Sequence, residues 1–499
     1  MANVYKTGFQ GSETSWAEVI LYSHGDDPLI MLPEGMGKYP FSGKRADAKH
    51  PSLVSVSTQK MLGAASGSFT VDIKPSLAAA NLFQHICDDD WIDIVFYRHA
   101  QPWHVMRGLV DEIRRNRSVG GSGATVKSYT LTGRDFAKIW ETTPVWFSPC
   151  GDRDMISDAW ATMIFEAIPN LRGTPPDAVR AFLWNFLEKV SVTAGVNWEM
   201  PSGMPNGGGS FLKWVTFNDN HYYNVPARKS FNPNFMDPNN TLWATAQQHA
   251  DPPFVEFYAD MLPGGGPFDG RLQSGTSFAP EDVYMTVVVR DRPFPVVDPK
   301  IDAWPISWDA VPQFVVPRQQ IVNDNVGRSG LERFNAFFVA SQLHQEAFGQ
   351  NSLNILTPLV DFQSLHRHGL RRFDVQSAMS PDQLDFSKLC EQQRRIARDW
   401  HCLNPYFLSG SLNLGIGRPD IKIGCKLRIP GEHGEVDQET YYVESVGHNW
   451  SFGQGTRTAL GVTRGWVGSD RSMKEALKQM SDRYAEPKLL TDVSWLKWQ

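Results

Sequence analysis

The stretch Tyr441–Trp466, YYVESVGHNWSFGQGTRTALGVTRGW, decides how this chain is read. It reads as a β-hairpin: two strand-like runs around an aromatic, glycine-containing loop. A related pattern stands far upstream at Met106–Asp135, MRGLVDEIRRNRSVGGSGATVKSYTLTGRD. Laid over each other at an offset of 333 (443 − 110), Val110 meets Val443, Asp111 meets Glu444 and Ile113 meets Val446. Asn116 meets Asn449 and Ser118 meets Ser451. These ten are the candidate structural hairpin residues. Both loops carry glycines, Gly120, Gly121 and Gly123 in the first and Gly453 and Gly455 in the second. The return strands share an aliphatic–Thr step, Leu131-Thr132 and Val462-Thr463, at offset 331 (462 − 131). Before each hairpin, WIDIVF (91–96) is set against DIKIGC (420–425). Alternation alone makes any two strands look alike. The shared Asn, Ser and Gly positions favour an internal duplication: two β-barrel-like units of one design, each interrupted by an insertion.

The 499 residues allow three or four domains,. Hydrophobic residues make up 41% and charged residues 20%, which is enough to build a core and excludes global disorder,. Seventeen Trp point to large cores or extensive aromatic interfaces,. A net charge of −6 disfavours stable nucleic-acid binding, since counterion release needs clustered cations,. Arg114, Arg115 and Arg117 form one local basic group, read as a solvated face,. The five cysteines, Cys87, Cys150, Cys390, Cys402 and Cys425, form no CxxC pair, which argues against a disulfide framework or a structural zinc,. The start of the chain has no apolar signal core and no run of about 18 apolar residues occurs, so no membrane span is expected,.

Along the chain, WAEVILY (16–22), SGSFTVDI (66–73) and WIDIVFYRH (91–99) read as strands. In the last of these, Ile92, Ile94 and Phe96 alternate as in a half-buried strand. A short helix is expected after Lys74-Pro75-Ser76. Helical spacing then appears at Ile156, Ala159, Trp160, Met163 and Ile164, and again from Val179 to Val190. Thr174 is the candidate cap of the second helix, Pro175 its first residue and Gly195 its stop,. Residues 195–240 read as loop. Strands return at PFVEFYADML, VYMTVVVRDRPF and within 313–339. Phe386, Leu389, Gln393, Ile396 and Trp400 outline a helix face after Ser380-Pro381. Further strands and the second hairpin follow, then a helix in MKEALKQMSDRYA.

No catalytic constellation stands out. Asp88-Asp89-Asp90 precede a strand and read as solvated carboxylates rather than a metal site,. His366 and His368, near Asp361, lack the further ligands zinc needs,. His448 is assigned a hydrogen-bonded structural role. Neither glycine-rich loop stands between a strand and a helix, which argues against a phosphate cradle, and no G-x-S-x-G elbow occurs,. Glu188 and Glu256 are lone candidates for a hydrolase acid, which would need a cleft and a second carboxylate,. No cofactor and no metal are expected, and no enzymatic activity.

Five further motifs carry a family resemblance. They are TLWATAQQHADPPFVEFYAD (241–260), VVVRDRPF (287–294), GRSGLERFNAFFV (327–339), TPLVDFQSLHRHGLRR (357–372), and GSLNLGIGRPDIKIGCKLRI (410–429) with YYVESVGHNW. In this order they resemble the baseplate hub proteins of bacteriophage tails, the late control protein D family and the hub part of type VI secretion spikes. The stretch 195–240 and the region around Gly349 match nothing in the family pattern.

The resemblance implies a mainly β fold with α insertions (α+β): two duplicated tail-tube-like β-barrel domains interrupted by insertion domains. Residues 1–140 with 241–295 would form the first barrel and 296–342 with 380–470 the second. Residues 141–240 would be a helical and loop-rich insertion, 343–379 a small insertion and 471–499 a helical tail. It implies a homotrimeric, pseudo-sixfold ring in the virion tail baseplate, assembled in the bacterial host cytoplasm. Such a ring would adapt the hexameric tail tube protein to the trimeric central spike protein and contact other baseplate and tape-measure proteins. It would touch no membrane, and DNA would only pass through its lumen. Three chains would carry 3 × −6 = −18, which keeps exiting DNA from adhering,. The alternatives are a tail-associated peptidoglycan hydrolase or a glycan-binding protein with its site in the 141–240 insertion.

Overall fold

The computed structural model describes residues 15–23, 28–33, 52–75, 82, 85–99, 101–119, 125–144, 175–188, 198–205, 207–221, 240–250, 254–264, 282–298, 308–341, 358–377 and 386–486. The protein is mainly β, built around one large and mostly antiparallel sheet.

The first part of the chain supplies β1 (Ser15–Tyr22), β2 (Leu29–Met31), β3 (Ser52–Met61), β4 (Ser68–Lys74), β5 (Trp91–Arg98), β6 (Gln101–Val119) and β7 (Thr125–Asp135). A short helix, α1 (Lys138–Thr142), closes it. β3 and β4 alternate buried and exposed residues, as strands with one covered face must,. β5 departs from the expected half-buried alternation: every residue from Trp91 to Tyr97 is buried. Burial of its second face is possible because Asp93 is neutralised there. Arg107 approaches it at 2.7 and 2.9 Å and His104 at 3.0 Å.

The middle of the chain contains α2 (Pro175–Arg180), which runs on into a π-helical turn, Ala181–Phe186. Pro175 is the first helical residue, as its fixed φ and missing N–H favour. Thr174, Gly195 and the first expected insertion helix lie outside the described residues. The stretch read as loop contains β8 (Glu199–Met200), β9 (Gly209–Ser210) and β10 (Val215–His221). α3 (Leu242–His249) follows, capped by the Thr241 hydroxyl accepting from Ala244 N–H at 3.2 Å,. Then come β11 (Val255–Pro263) and β12 (Val283–Asp291). β10, β12 and β11 form a separate three-stranded sheet, with β10 parallel and β11 antiparallel to β12. β11 is wholly buried, and its two carboxylates, Glu256 and Asp260, are paired with Arg290 and Lys60,.

The last part holds β13 (Gln313–Val315), β14 (Ile321–Gly327), β15 (Ala336–Ser341), β16 (Leu359–Val360) and α4 (Phe362–His368). β17 (Arg372–Ser377), α5 (Phe386–His401), β18 (Leu408–Leu414), β19 (Lys426–Gly431), β20 (Gly434–Ser451), β21 (Gly455–Val467) and α6 (Asp470–Ser481) follow. β15, β16 and β17 make a small sheet. α5 packs against it, burying Gln393, Ile396 and Trp400, three residues of the face expected from their spacing. α6 is capped by Ser469, whose side chain accepts from Ser472 N–H. Two apolar clusters result. One lies along the large sheet and α2–α3; the other gathers Phe294, Trp308, Phe337, Trp400 and Tyr442 near α5 and α6.

The large sheet runs β14-β18-β21-β20-β3-β4-β7-β6-β5-β1-β2, with β19 beside β20 and β13 beside β19. One strand order occurs twice in it: β3-β4-β7-β6-β5 and β14-β18-β21-β20-β19. The two hairpins quoted from the sequence are β6–β7 and β20–β21.

Candidate functional site

Register fixes how far the likeness of the two hairpins goes. In β6–β7 the pairing slips between Val110 and Glu112, leaving Asp111 as the extra residue of a bulge,. In β20–β21 it slips between Val443 and Ser445, leaving Glu444 extra. The two bulged residues stand 333 apart, the offset at which Val110, Ile113, Asn116 and Ser118 meet Val443, Val446, Asn449 and Ser451. A second bulge recurs: β3–β4 slips across Val54 and β14–β18 across Val322.

Two of the sequence matches shift. Leu131 pairs with Ile113, and Leu460 pairs with Val446, so the return strands correspond at 329 (460 − 131) rather than 331. The second hairpin is four residues shorter between these pairs (14 against 18), and alternation cannot reveal such a difference. Likewise Trp91 faces Leu109 and Lys426 faces Tyr442, so β5 corresponds to β19 and not to DIKIGC. Residues 420–425 are turns ahead of β19.

The two bulges differ in chemistry. Asp111 accepts from Arg134 at 2.9 and 3.2 Å and from Lys138 Nζ at 2.7 Å, which together hold its pKa below the usual carboxylate value despite partial burial. Glu444 accepts from the Thr463 hydroxyl at 3.0 Å, and its carbonyl accepts from Leu62 N–H at 2.8 Å. Val110 and Val443 are buried, as is Val446; Ile113 is half-buried. Asn116, Ser118 and Asn449 are exposed and Ser451 half-buried.

The two runs of like strand order meet at a seam that the sequence reading missed. The distal half of β20 pairs antiparallel with β3, from Ser445 opposite Met61 to Ser451 opposite Ser55. On one face of the seam Val446, His448 and Trp450 are buried beside Val56 and Thr58. His448 lies 5.7 Å from the Phe96 ring centroid, and its Nδ1 is 3.0 Å from Thr458 Oγ1. Burial, reinforced by Lys422, pushes its pKa down to about 3, so the ring is neutral at pH 7. The other face carries mostly small neutral residues, among them Ser57, Thr70, Ser411, Asn413, Ser445 and Gly447, with Arg457 beside them. They line a trough of about 930 Å³. Little local signal was available: in SVSTQK (55–60) only Val56 is apolar. Nothing local names its lateral partner.

Buried ion pairs lock this sheet to its neighbours. Lys60 of β3 reaches Asp260 of β11 at 2.8 Å and Asp135 of β7 at 3.3 Å. Burial alone would lower its pKa, but the two carboxylates outweigh it and raise it. Arg290 of β12 binds Glu256 at 2.9 Å, the Gly424 carbonyl at 2.7 Å and the Tyr442 hydroxyl at 3.0 Å. Glu256 also accepts from Tyr442 at 2.6 Å. Gly424 sits at φ +73, and a Cβ there would lie 2.5 Å from Arg290 Nη2, so the close approach requires glycine,.

The remaining candidates fall elsewhere. Glu256 is consumed by this buried knot, and Glu188 is exposed at the end of the α2 segment. Asp89 pairs with Lys138 at 2.6 Å, and Asp90 accepts from Cys87 N–H at 2.8 Å. Asp361 caps α4 and pairs with Arg483 at 2.8 Å, while His366 and His368 are exposed. Among the described residues no group of three His, Cys, Asp or Glu could hold a metal, and no helix is long and apolar enough to cross a membrane.

No family model matches the chain. No curated protein matches it either. Among solved structures it is similar to a tail protein from Neisseria meningitidis, with 14% identity and a TM-score of 0.46, over 90% of this chain and 96% of that one. It is also similar to the 43 kDa tail protein of prophage MuSo2 from Shewanella oneidensis. There the identity is 11% and the TM-score 0.46, over 90% of this chain and 98% of that one. A third is an Escherichia coli component of the type VI secretion system, itself described as similar to bacteriophage tail proteins. It shows 9% identity and a TM-score of 0.40, over 84% of this chain and 75% of that chain. The structural neighbours of this chain are thus tail and type VI secretion proteins.

Proposed function

We propose that this chain is the structural hub of a phage tail or a tail-derived injection machine. Three copies form a pseudo-sixfold ring in the baseplate that adapts a hexameric tail tube to a trimeric spike and continues the channel for DNA. Its work is mechanical, with no catalytic step. The observation that carries this reading is the β20–β3 seam: one strand order, present twice, joined edge to edge in a single sheet. A chain that already joins two like units side by side needs only threefold symmetry to present six. The five motifs that resemble baseplate hubs support the same reading.

Native mass measurement, alone or with a spike, tests it. The expected species is a trimer of 56.1 kDa chains, 3 × 56.1 = 168.3 kDa. A stable monomer, with no ring containing this chain in images of the assembled particle, overturns the reading. Purified protein is expected to leave cell-wall suspensions turbid. Clearing that disappears in Glu188→Gln would favour the hydrolase instead.

A further inference from the structure

Resting on the ring reading, we propose that successive chains join through a second, charge-coded seam. The distal edge of β6 in one copy pairs antiparallel with β14 of the next, with Arg117 directly opposite Asp324.

Both strands have an open edge. Among the described strands, β14 ends the sheet and is paired only to β18. β6 pairs with β5 no further than Leu109; from Glu112 to Val119 it pairs with β7 alone among the described strands. Unpaired edges of this kind are templates for another strand. Their equivalents inside the chain, β20 and β3, are already paired to each other.

The internal seam therefore supplies a register. Residues of β20 move back by 333 to reach β6, and residues of β3 move forward by 268 (322 − 54), the spacing of the two edge-strand bulges. Asn449 opposite Ser57 becomes Asn116 opposite Asn325. Trp450 opposite Val56 becomes Arg117 opposite Asp324. Phe452 N–H, which donates to the Val54 carbonyl, becomes Val119 beside Val322. Those two valines are 73% and 76% exposed in the isolated chain, as open ends of a seam would be.

The chemistry of the two seams differs in kind. The internal one buries Trp450 against Val56. At the corresponding place between chains a carboxylate would be covered by a neighbouring strand, which is costly unless a cation faces it. Arg117 supplies that cation. Mispairing the seams would set Arg117 against Val56 or Trp450 against Asp324, each leaving a covered charge unmatched. The apolar seam thus holds the chain together, and the ionic seam selects the next copy and responds to salt.

Charge reversal tests the pair in the full-length chain. Arg117→Glu and Asp324→Arg are each expected to weaken self-association by about tenfold or more per seam, and the double variant to recover it. Sedimentation at low and high salt reads this, with wild-type association weakening as salt rises. Single reversals that assemble as wild type, or a double variant no better than the singles, overturn the pairing. A second readout does not depend on charge. Asn116→Cys with Asn325→Cys is expected to give a covalent trimer on mild oxidation, whereas Asn116→Cys with Asn323→Cys, two residues out of register, is not. An assembled trimer that fails to cross-link at 116 and 325 removes this seam and leaves the ring reading standing. A wild-type chain that never associates removes both.

Discussion

His448 shows how one residue of the quoted stretch serves the seam. It is buried on the β20–β3 face, bonded to Thr458 and packed on Phe96. Its ring stays neutral because burial, then Lys422, oppose the imidazolium. The unfolded chain binds a proton near pH 6.5 that the folded one refuses until about pH 3,. Stability from this residue is therefore complete above about pH 6.5 and is lost as pH falls toward 3. His104, lowered chiefly by burial beside Asp93, acts in the same sense. Melting temperature followed from pH 7 to pH 4 should fall, and His448→Gln should flatten the slope. An unchanged slope would show that His448 titrates normally in the folded state.

At the level of the element, the repeated bulges matter more than the repeated residues. A bulge bends its strand and sharpens the local twist, so bulges at matching places bend the two hairpins of the large sheet at the same point. β14 also depends on Gly410 of β18, which sits at φ +153 against it. A Cβ there would lie 2.0 Å from the Asn325 carbonyl. Gly410→Ala is expected to cost about 1–3 kcal/mol through backbone strain and to part β14 from β18. Denaturation midpoints give the first effect, and amide exchange within 321–327 the second. If neither moves, the β18 backbone has more room than this geometry allows.

For the whole molecule, the ring and the seams can be told apart by amide protection. In a dilute isolated chain, amides of β20 and β3 at the internal seam should exchange slowly. The edges of β6 beyond Leu109 and of β14 should exchange fast, since their edge-facing N–H groups meet water. On assembly the two edges should become protected together. Protection of one without the other would mean that a different partner covers it. Lys60 with Asp260, and the Tyr442 hydroxyl with Arg290 and Glu256, tie the long sheet to the β10–β12–β11 sheet. Assembly is thus expected to add protection at the edges rather than within this core.

The sequence by itself determined the local elements. Alternation and turn residues marked both hairpins, the offset of 333 matched residues that share a bulge, and helical spacing marked the face of α5. These are short-range properties of the backbone and of side-chain periodicity. It did not determine the offset of the return strands, because a hairpin four residues shorter leaves alternation intact. Nor did it reveal that β5 is buried on both faces, since Asp93 reads as polar until Arg107 and His104 are beside it. The pairing of β20 with β3 joins residues nearly 400 positions apart through backbone hydrogen bonds, which every residue type can make,. Only the tertiary structure decided that neighbour, and with it which strand edges were left open.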